Sequence, residues 1–254
     1  MASAEQHERK SALRFDRLDA LRGVAIVWMT IYHFCFDLNY FGWIQQDFYH
    51  DTVWTWQRSA IVSLFLLCAG AGQAVAMQQG QSWPRFWRRW AQVALCALFV
   101  TAGSYLMYPK TFIYFGVLHG IAVMLIIGRL TTHWGAWLWP LGALAIASKF
   151  IALYAISITA NLQFLNEKGF NILGWISKLP VTEDYVPIFP WLGVMWWGVA
   201  SAQWLLKHRR DVITGSIAPV ARWLVWLGTW SLTWYMLHQP FMIGMMTALK
   251  MLGV

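Results

Sequence analysis

The chain has 254 residues, of which 59% are hydrophobic and only 12% are charged. Soluble domains carry about 25% charged residues, so this composition excludes an ordinary soluble domain and indicates an integral membrane protein. A net charge of +8 would suit nucleic acid, but the basic residues lie at the ends of apolar stretches. That placement excludes nucleic acid as a partner and makes the lipid bilayer the expected surroundings.

Seven apolar stretches are long enough to cross a bilayer as helices. They cover about 21–41, 57–77, 91–108, 112–130, 134–157, 187–206 and 223–250. The last contains Pro240, and we predict it to be one kinked helix. The predicted fold class is all-α, a polytopic transmembrane helix bundle of about seven spans. A charged tail over residues 1–16 precedes a single transmembrane domain over residues 17–254.

The basic residues also predict the orientation of the bundle. Most of the 19 Lys and Arg residues lie on one side if the spans alternate. The positive-inside rule then predicts a cytoplasmic N-terminus and cytoplasmic tail. The first apolar stretch is too long for a signal-peptide core and has no clean cleavage site, so we expect a retained first span.

The first span carries ionisable residues, whose burial in lipid costs several kcal/mol and indicates a function. His33 and Asp37 are four residues apart and share one helix face. Arg22 lies on nearly the same face, about 16 Å away along the helix axis. A carboxylate beside a histidine can fix its tautomer and stabilise the imidazolium. We therefore expect Asp37 to orient His33 as a general base or nucleophile.

Two more histidines lie inside predicted spans, His119 in the fourth and His238 in the last, just before Pro240. Each alone is typical of a hydrogen-bonded core histidine. Together with His33 they predict a shared polar cavity. After the second span, a cluster of Arg85, Arg88 and Arg89 could bind a phosphorylated ligand beside Arg22, or could act only as a topology signal.

Several polar residues lie near the predicted outer ends of the spans. Asp184 and Tyr185 precede the sixth span, Arg58 begins the second, and His50 lies in the first outer loop. They are candidate substrate-binding residues, with helix-start signals and surface roles as the alternatives. The three cysteines have no metal-ligand spacing, so we predict no metal site.

Five motifs, in order, resemble bacterial relatives of heparan-alpha-glucosaminide N-acetyltransferase over nearly the whole chain from about residue 15. They are RLDALRG with YHF and DL, SLFLLCAG, FGVLHGIA, DYVPIFPWLG and SLTWYMLHQP. The first span is also similar to that of the wider transmembrane acyltransferase group. That group carries an Arg and a His separated by ten residues, matched by Arg22 and His33. It also carries an Arg-x-x-Arg, matched by Arg85 and Arg88.

The resemblance implies an acyltransferase of the bacterial inner membrane. Its donor would be cytoplasmic acetyl-CoA or another acyl-CoA, and its acceptor a hydroxyl or amine of a glycan-type molecule on the far side. It places the essential histidine at His33, although His50 occupies a place similar to the active-site histidine of the lysosomal enzyme. His119 or His238 could polarise the thioester carbonyl.

Other functions fit the same residues. A transporter or permease could use the polar cavity without acyl chemistry. A haem protein could use two of the three histidines as axial ligands, and a structural subunit would need none of them. Whether the protein forms an oligomer is open.

Overall fold

The computed structural model describes residues 15–253, and every regular element within them is a helix. The part of the predicted tail at residues 1–14 lies outside this range. The helices are α1 Asp16–Tyr40, α2 Thr52–Gln78, α3 Trp83–Met107, α4 Val117–Thr131, α5 Leu138–Ile158, α6 Trp191–His208, α7 Arg210–Thr214, α8 Arg222–Thr229 and α9 Ser231–Met251. Short 3₁₀ turns connect several of them.

Four helical stretches of the described chain are long and apolar enough to cross a membrane. They are α1, α2, α3 and the stretch Val117–Ile158, which contains α4 and α5. A 3₁₀ turn at Thr132–Trp137 joins these two helices, and Gly135 breaks the helical backbone there with φ of 57°. The predicted spans 112–130 and 134–157 thus correspond to separate helices. The later predicted spans correspond to α6 and to α8 together with α9, and none of these three helices is among the four.

The prediction of one kinked helix at 223–250 is wrong. The chain forms two helices, α8 and α9, that meet at Trp230, whereas Pro240 lies inside α9. At the break, the Thr229 hydroxyl donates a hydrogen bond to the carbonyl oxygen of Trp226 at 2.7 Å. A hydroxyl bonded to the preceding turn competes with the helical backbone and bends it.

Tertiary contacts divide the described chain into two compact units. The first comprises residues 15–65 and 204–253, and the second comprises residues 66–203.

In the first unit, α1 packs against α8 and α9. Its hydrophobic core is formed by Ile26, Met29, Tyr32, Phe48, Ile61 and Leu227. Gly23 of α1 and Gly228 of α8 let the two backbones approach closely. A β-carbon on Gly228 would lie 3.0 Å from the backbone nitrogen of Gly23. Such contacts between small residues are typical of helices packed in membranes.

In the second unit, α3 packs against α4, and the Trp90 indole donates to the Ala122 carbonyl oxygen at 2.8 Å. The Trp196 indole of α6 donates to the hydroxyl of Thr131 at 2.9 Å. These bonds satisfy indole donors that would otherwise be unpaired in an apolar environment. They fix α4 between a helix that precedes it and a helix that follows it in the sequence.

Candidate active site

Two of the predicted histidines meet in the first unit. Nδ1 of His33 on α1 lies 2.9 Å from Nε2 of His238 on α9. Their rings are stacked, with centroids 5.1 Å apart and planes inclined by 20°. His238 is only 6% exposed, whereas His33 is partly exposed. The pair therefore joins one partly exposed residue to one buried residue.

Asp37 does not make the predicted direct contact with His33. Its Oδ1 instead accepts a hydrogen bond of 2.7 Å from the Gln239 side chain, while its Oδ2 is buried without a hydrogen bond in the described residues. The Gln239 side chain also interacts with the His33 ring. The shared helix face was predicted correctly, but α9 places consecutive residues, His238 and Gln239, against it. Gln239 therefore binds Asp37 and lies beside the His33 ring.

Trp234, one turn before His238, fixes the register of α9 on α1. The Trp234 indole donates to the Thr30 hydroxyl at 2.9 Å, and that hydroxyl donates to the Ile26 carbonyl oxygen at 2.8 Å. Going along α1, residues 30, 33 and 37 contact residues 234, 238 and 239 in turn. The two helices therefore run parallel.

The predicted phosphate-binding arginines lie in different units. Arg22, in the first, forms an ion pair of 2.7 Å with Asp19 one turn before it on α1. Arg85, Arg88 and Arg89, in the second, are exposed in the first turns of α3, with Phe86 buried among them. Exposed guanidinium groups are available for an anionic ligand.

A further arginine of the second unit was not a predicted site residue. Arg129, near the end of α4, is 7% exposed and lies over the Trp83 and Phe86 rings, at 5.0 and 5.6 Å from their centroids. It donates a 2.5 Å hydrogen bond to the Gln81 carbonyl oxygen just before α3. In the sequence it was indistinguishable from a topology signal. Its contacts instead anchor the start of α3 to α4.

Both ring nitrogens of His119 have partners, so its contacts are those of a structural residue. Nδ1 accepts from the Gly116 backbone N–H at 3.2 Å, and Nε2 lies 3.0 Å from the Thr101 hydroxyl. That hydroxyl donates to the Ile113 carbonyl oxygen at 2.7 Å. His119 therefore caps the start of α4 and ties it to α3. Thr101 carries no sequence signal that could have predicted this role.

Asp184 and Tyr185 also hold the start of α4. The Asp184 carboxylate accepts a hydrogen bond of 2.7 Å from the backbone N–H of Val117, the first residue of α4. A negative charge at the N-terminus of a helix stabilises the helix. The Tyr185 hydroxyl donates to the Asn171 carbonyl oxygen at 2.5 Å. Burial raises the pKa of Tyr185, with the nearby Tyr114 contributing to the shift. The phenol therefore remains protonated at neutral pH.

The remaining predicted residues of the first unit are exposed. His50 pairs with Asp47 in the loop after α1, with 2.9 Å between its Nδ1 and Oδ2. Hydrogen bonds from His50, the backbone one foremost, lower the pKa of Asp47. Arg58 is exposed on α2. Within residues 15–253 there is no group of three or more His, Cys, Asp or Glu residues able to hold a metal ion.

The fold and site together define a helical membrane protein with a histidine pair between two of its helices. The family described as "Heparan-alpha-glucosaminide N-acetyltransferase, catalytic" matches residues 14–240. The chain belongs to this family, which confirms the family, though not the bacterial origin, predicted from the five motifs. Membership implies transferase activity, and with the candidate spans it makes the chain an integral membrane protein. Comparisons with curated proteins and with solved structures give no match.

Proposed function

We propose that this protein transfers an acyl group, most simply acetyl, from cytoplasmic acyl-CoA to an extracytoplasmic acceptor. The acceptor group is a hydroxyl or amine of a glycan-type molecule. His33 is the general base of this reaction. The observation that carries the proposal is the partly exposed His33, whose ring contacts His238, with Gln239 beside the ring and bonded to Asp37.

The chemistry needs one proton acceptor at the point of transfer. His33 takes the proton of the acceptor O–H or N–H while the freed electron pair attacks the thioester carbonyl carbon. The tetrahedral intermediate then expels the CoA thiolate, and the imidazolium of His33 returns the proton to the sulfur. Gln239 and Asp37 stabilise the transient positive charge on the ring. Transfer through an acyl-histidine remains the alternative route to the same products.

The proposed topology has seven spans and a cytoplasmic N-terminus. The proposed location is a bacterial inner membrane. The parallel contacts of α1 and α9 support this arrangement. If both helices cross the membrane, they cross in the same direction. Successive spans alternate in direction, so the first and last spans run the same way only if the total number of spans is odd. Seven spans meet this condition.

The role of Arg22 of the first unit in donor binding stays a prediction from the sequence, and in the second unit donor binding is assigned to Arg85, Arg88 and Arg89. The last three are exposed at the start of one helix, where guanidinium groups suit phosphate oxygens. Contacts with the acceptor are assigned to Arg58 and His50, which are exposed. Asp184, Tyr185 and His119 contribute by holding the start of α4, since their polar groups are engaged there.

The first test measures release of CoA thiol from acetyl-CoA by the detergent-purified protein with amino-sugar and sugar acceptors. We expect His33→Ala to reduce turnover by about 10²–10⁴-fold, the usual contribution of a general base. Exposed His133 provides the matched control, and His133→Ala should retain turnover. Unchanged turnover in His33→Ala would refute the assignment of the base.

The second test measures donor binding by thermal stability. A ligand at about 100 times its Kd stabilises the folded state by about 2.7 kcal/mol. We expect acetyl-CoA to raise the melting temperature of the wild type and Arg88→Ala to abolish the rise. Exposed Arg222 is the control, and Arg222→Ala should keep it. Substrate flux in proteoliposomes without stabilisation by acetyl-CoA would instead indicate the permease.

A further inference from the structure

The hydrogen bonds around His238 determine which of its nitrogens carries the proton. Its Nδ1 lies 2.8 Å from the carbonyl oxygen of Tyr235 and 3.1 Å from that of Trp234. Carbonyl oxygens only accept hydrogen bonds, so Nδ1 of His238 is the protonated nitrogen. In the neutral ring, Nε2 of His238 is therefore an acceptor.

This assignment determines the tautomer of the second ring. The partner of His238 Nε2 is Nδ1 of His33 at 2.9 Å, so Nδ1 of His33 must carry a proton and donate it. The lone pair of the neutral His33 ring is then on Nε2. Two imidazolium rings stacked with centroids 5.1 Å apart would repel each other, which excludes protonation of both.

The accessibility of the two rings separates their roles. His238 is buried, and its nitrogens face its own helix and His33. His33 is partly exposed, and its Nε2 makes no hydrogen bond of normal geometry within residues 15–253, although the Gln239 side chain interacts with the ring. His33 is therefore the more solvent-exposed residue of the pair, whereas both nitrogens of His238 are engaged by other groups.

We propose that His238 is a positioning residue, which holds His33 as the Nδ1–H tautomer so that Nε2 presents its lone pair to the acceptor. This inference rests on the proposed function, in which His33 is the base. It replaces the expectation that His238 polarises the thioester carbonyl, because both of its nitrogens are engaged elsewhere. The residue immediately after it, Gln239, extends the same arrangement to Asp37.

The tautomer can be measured directly by ¹⁵N NMR of the full-length protein, labelled at histidine nitrogens, in detergent micelles. Spectra of His33→Gln identify the His33 signals. We expect the wild type to show a protonated Nδ1 and an unprotonated Nε2 at His33. His238→Leu removes the acceptor and should convert a large part of His33 to the Nε2–H tautomer. His238→Gln keeps an acceptor oxygen and should retain Nδ1–H.

The turnover rate of each variant should depend on how much of its His33 is in the Nδ1–H tautomer. We expect His238→Leu to lower kcat by about 10²–10⁴-fold with little change in KM, since the base loses its lone pair at the reacting position. His238→Gln should remain within about tenfold of the wild type. His133→Leu is the matched control and should change neither the spectrum of His33 nor kcat.

Each outcome has a defined meaning. An Nε2–H tautomer at His33 in the wild type, or Nδ1–H retained in His238→Leu, would overturn the positioning role. Equal loss of kcat in His238→Leu and His238→Gln would also overturn it. If His238→Leu fails to fold, the wild-type and His238→Gln spectra still decide the question. Unchanged turnover in His33→Ala would refute the proposed function alone, because the spectra measure the tautomer independently of activity.

Discussion

Gly23 lies where α1 meets the backbone of α8, and its replacement by alanine tests the packing that aligns the histidine helix. A β-carbon at this position would lie 2.8 Å from the carbonyl carbon of Leu224 and 3.0 Å from its Cα, and closer still to its carbonyl oxygen. Normal C···O contacts are about 3.3–3.6 Å, so the two helices would have to separate by about 1 Å. The obstacle is backbone, which cannot rotate away as a side chain can.

The expected cost follows from two opposing contributions. Overpacking costs about 1–3 kcal/mol, whereas alanine in a helix interior gains about 0.5–1 kcal/mol over glycine. The net loss for Gly23→Ala is therefore about 1 kcal/mol from the midpoints of the two ranges, which lowers the melting temperature by roughly 2–4 °C in a chain of this size. We would measure thermal unfolding of both proteins in the same detergent at one scan rate, because membrane proteins often unfold irreversibly.

Gly244 on α9 is the matched control. It lies in the same unit, and a β-carbon there meets nothing within 4 Å. Gly244→Ala should therefore leave the melting temperature unchanged or raise it, because the free energy of unfolding rises by at most about 1 kcal/mol. Equal melting temperatures for Gly23→Ala and Gly244→Ala would refute the close approach of α1 and α8.

Three further changes test the start of α4. Asp184→Ala should cost about 0.5–2 kcal/mol in thermal unfolding and Asp184→Asn less, because asparagine retains an acceptor for the Val117 N–H; equal losses would contradict capping. His119→Leu should lower the melting temperature while kcat of the folded fraction stays within a few fold, and a specific loss of kcat would restore His119 as a catalytic residue. Because burial raises the pKa of Tyr185, its contribution to stability is fully present below the unfolded-state pKa of about 10 and decreases above it. Melting temperatures from pH 8 to 11 should therefore fall less steeply in Tyr185→Phe than in the wild type, and parallel curves would contradict the shift.

The sequence predicted some of the residues with notable contacts in the structure and missed others. His33 and His238 stood out because polar side chains in apolar helices are costly, and both proved to belong to one contact. Gln239 carries the same signal, since a glutamine amide in an apolar helix also needs a partner, but it was not among the predicted site residues. Arg129 gave no usable signal, because a basic residue at a helix end is expected in any membrane protein.

The partner of His33 shows where prediction from the sequence ends. Spacing placed Asp37 on the same face, and a direct pair was the simplest expectation. The actual partner is 205 positions away on α9. Proximity along a helix brings side chains to a common face, but hydrogen-bond geometry is then decided by whatever packs against that face.

Hydropathy and helical periodicity, which are local properties, were enough to predict an all-helical membrane protein with ionisable residues on one face of its first helix. The five motifs were enough to predict its family. Only the tertiary structure decided that α8 and α9 separate at Trp230, that α9 lies parallel to α1, and that His238 rather than Asp37 binds His33. These features depend on close backbone contacts such as that of Gly23 with Leu224, which join segments some two hundred residues apart and leave no periodic trace in the sequence.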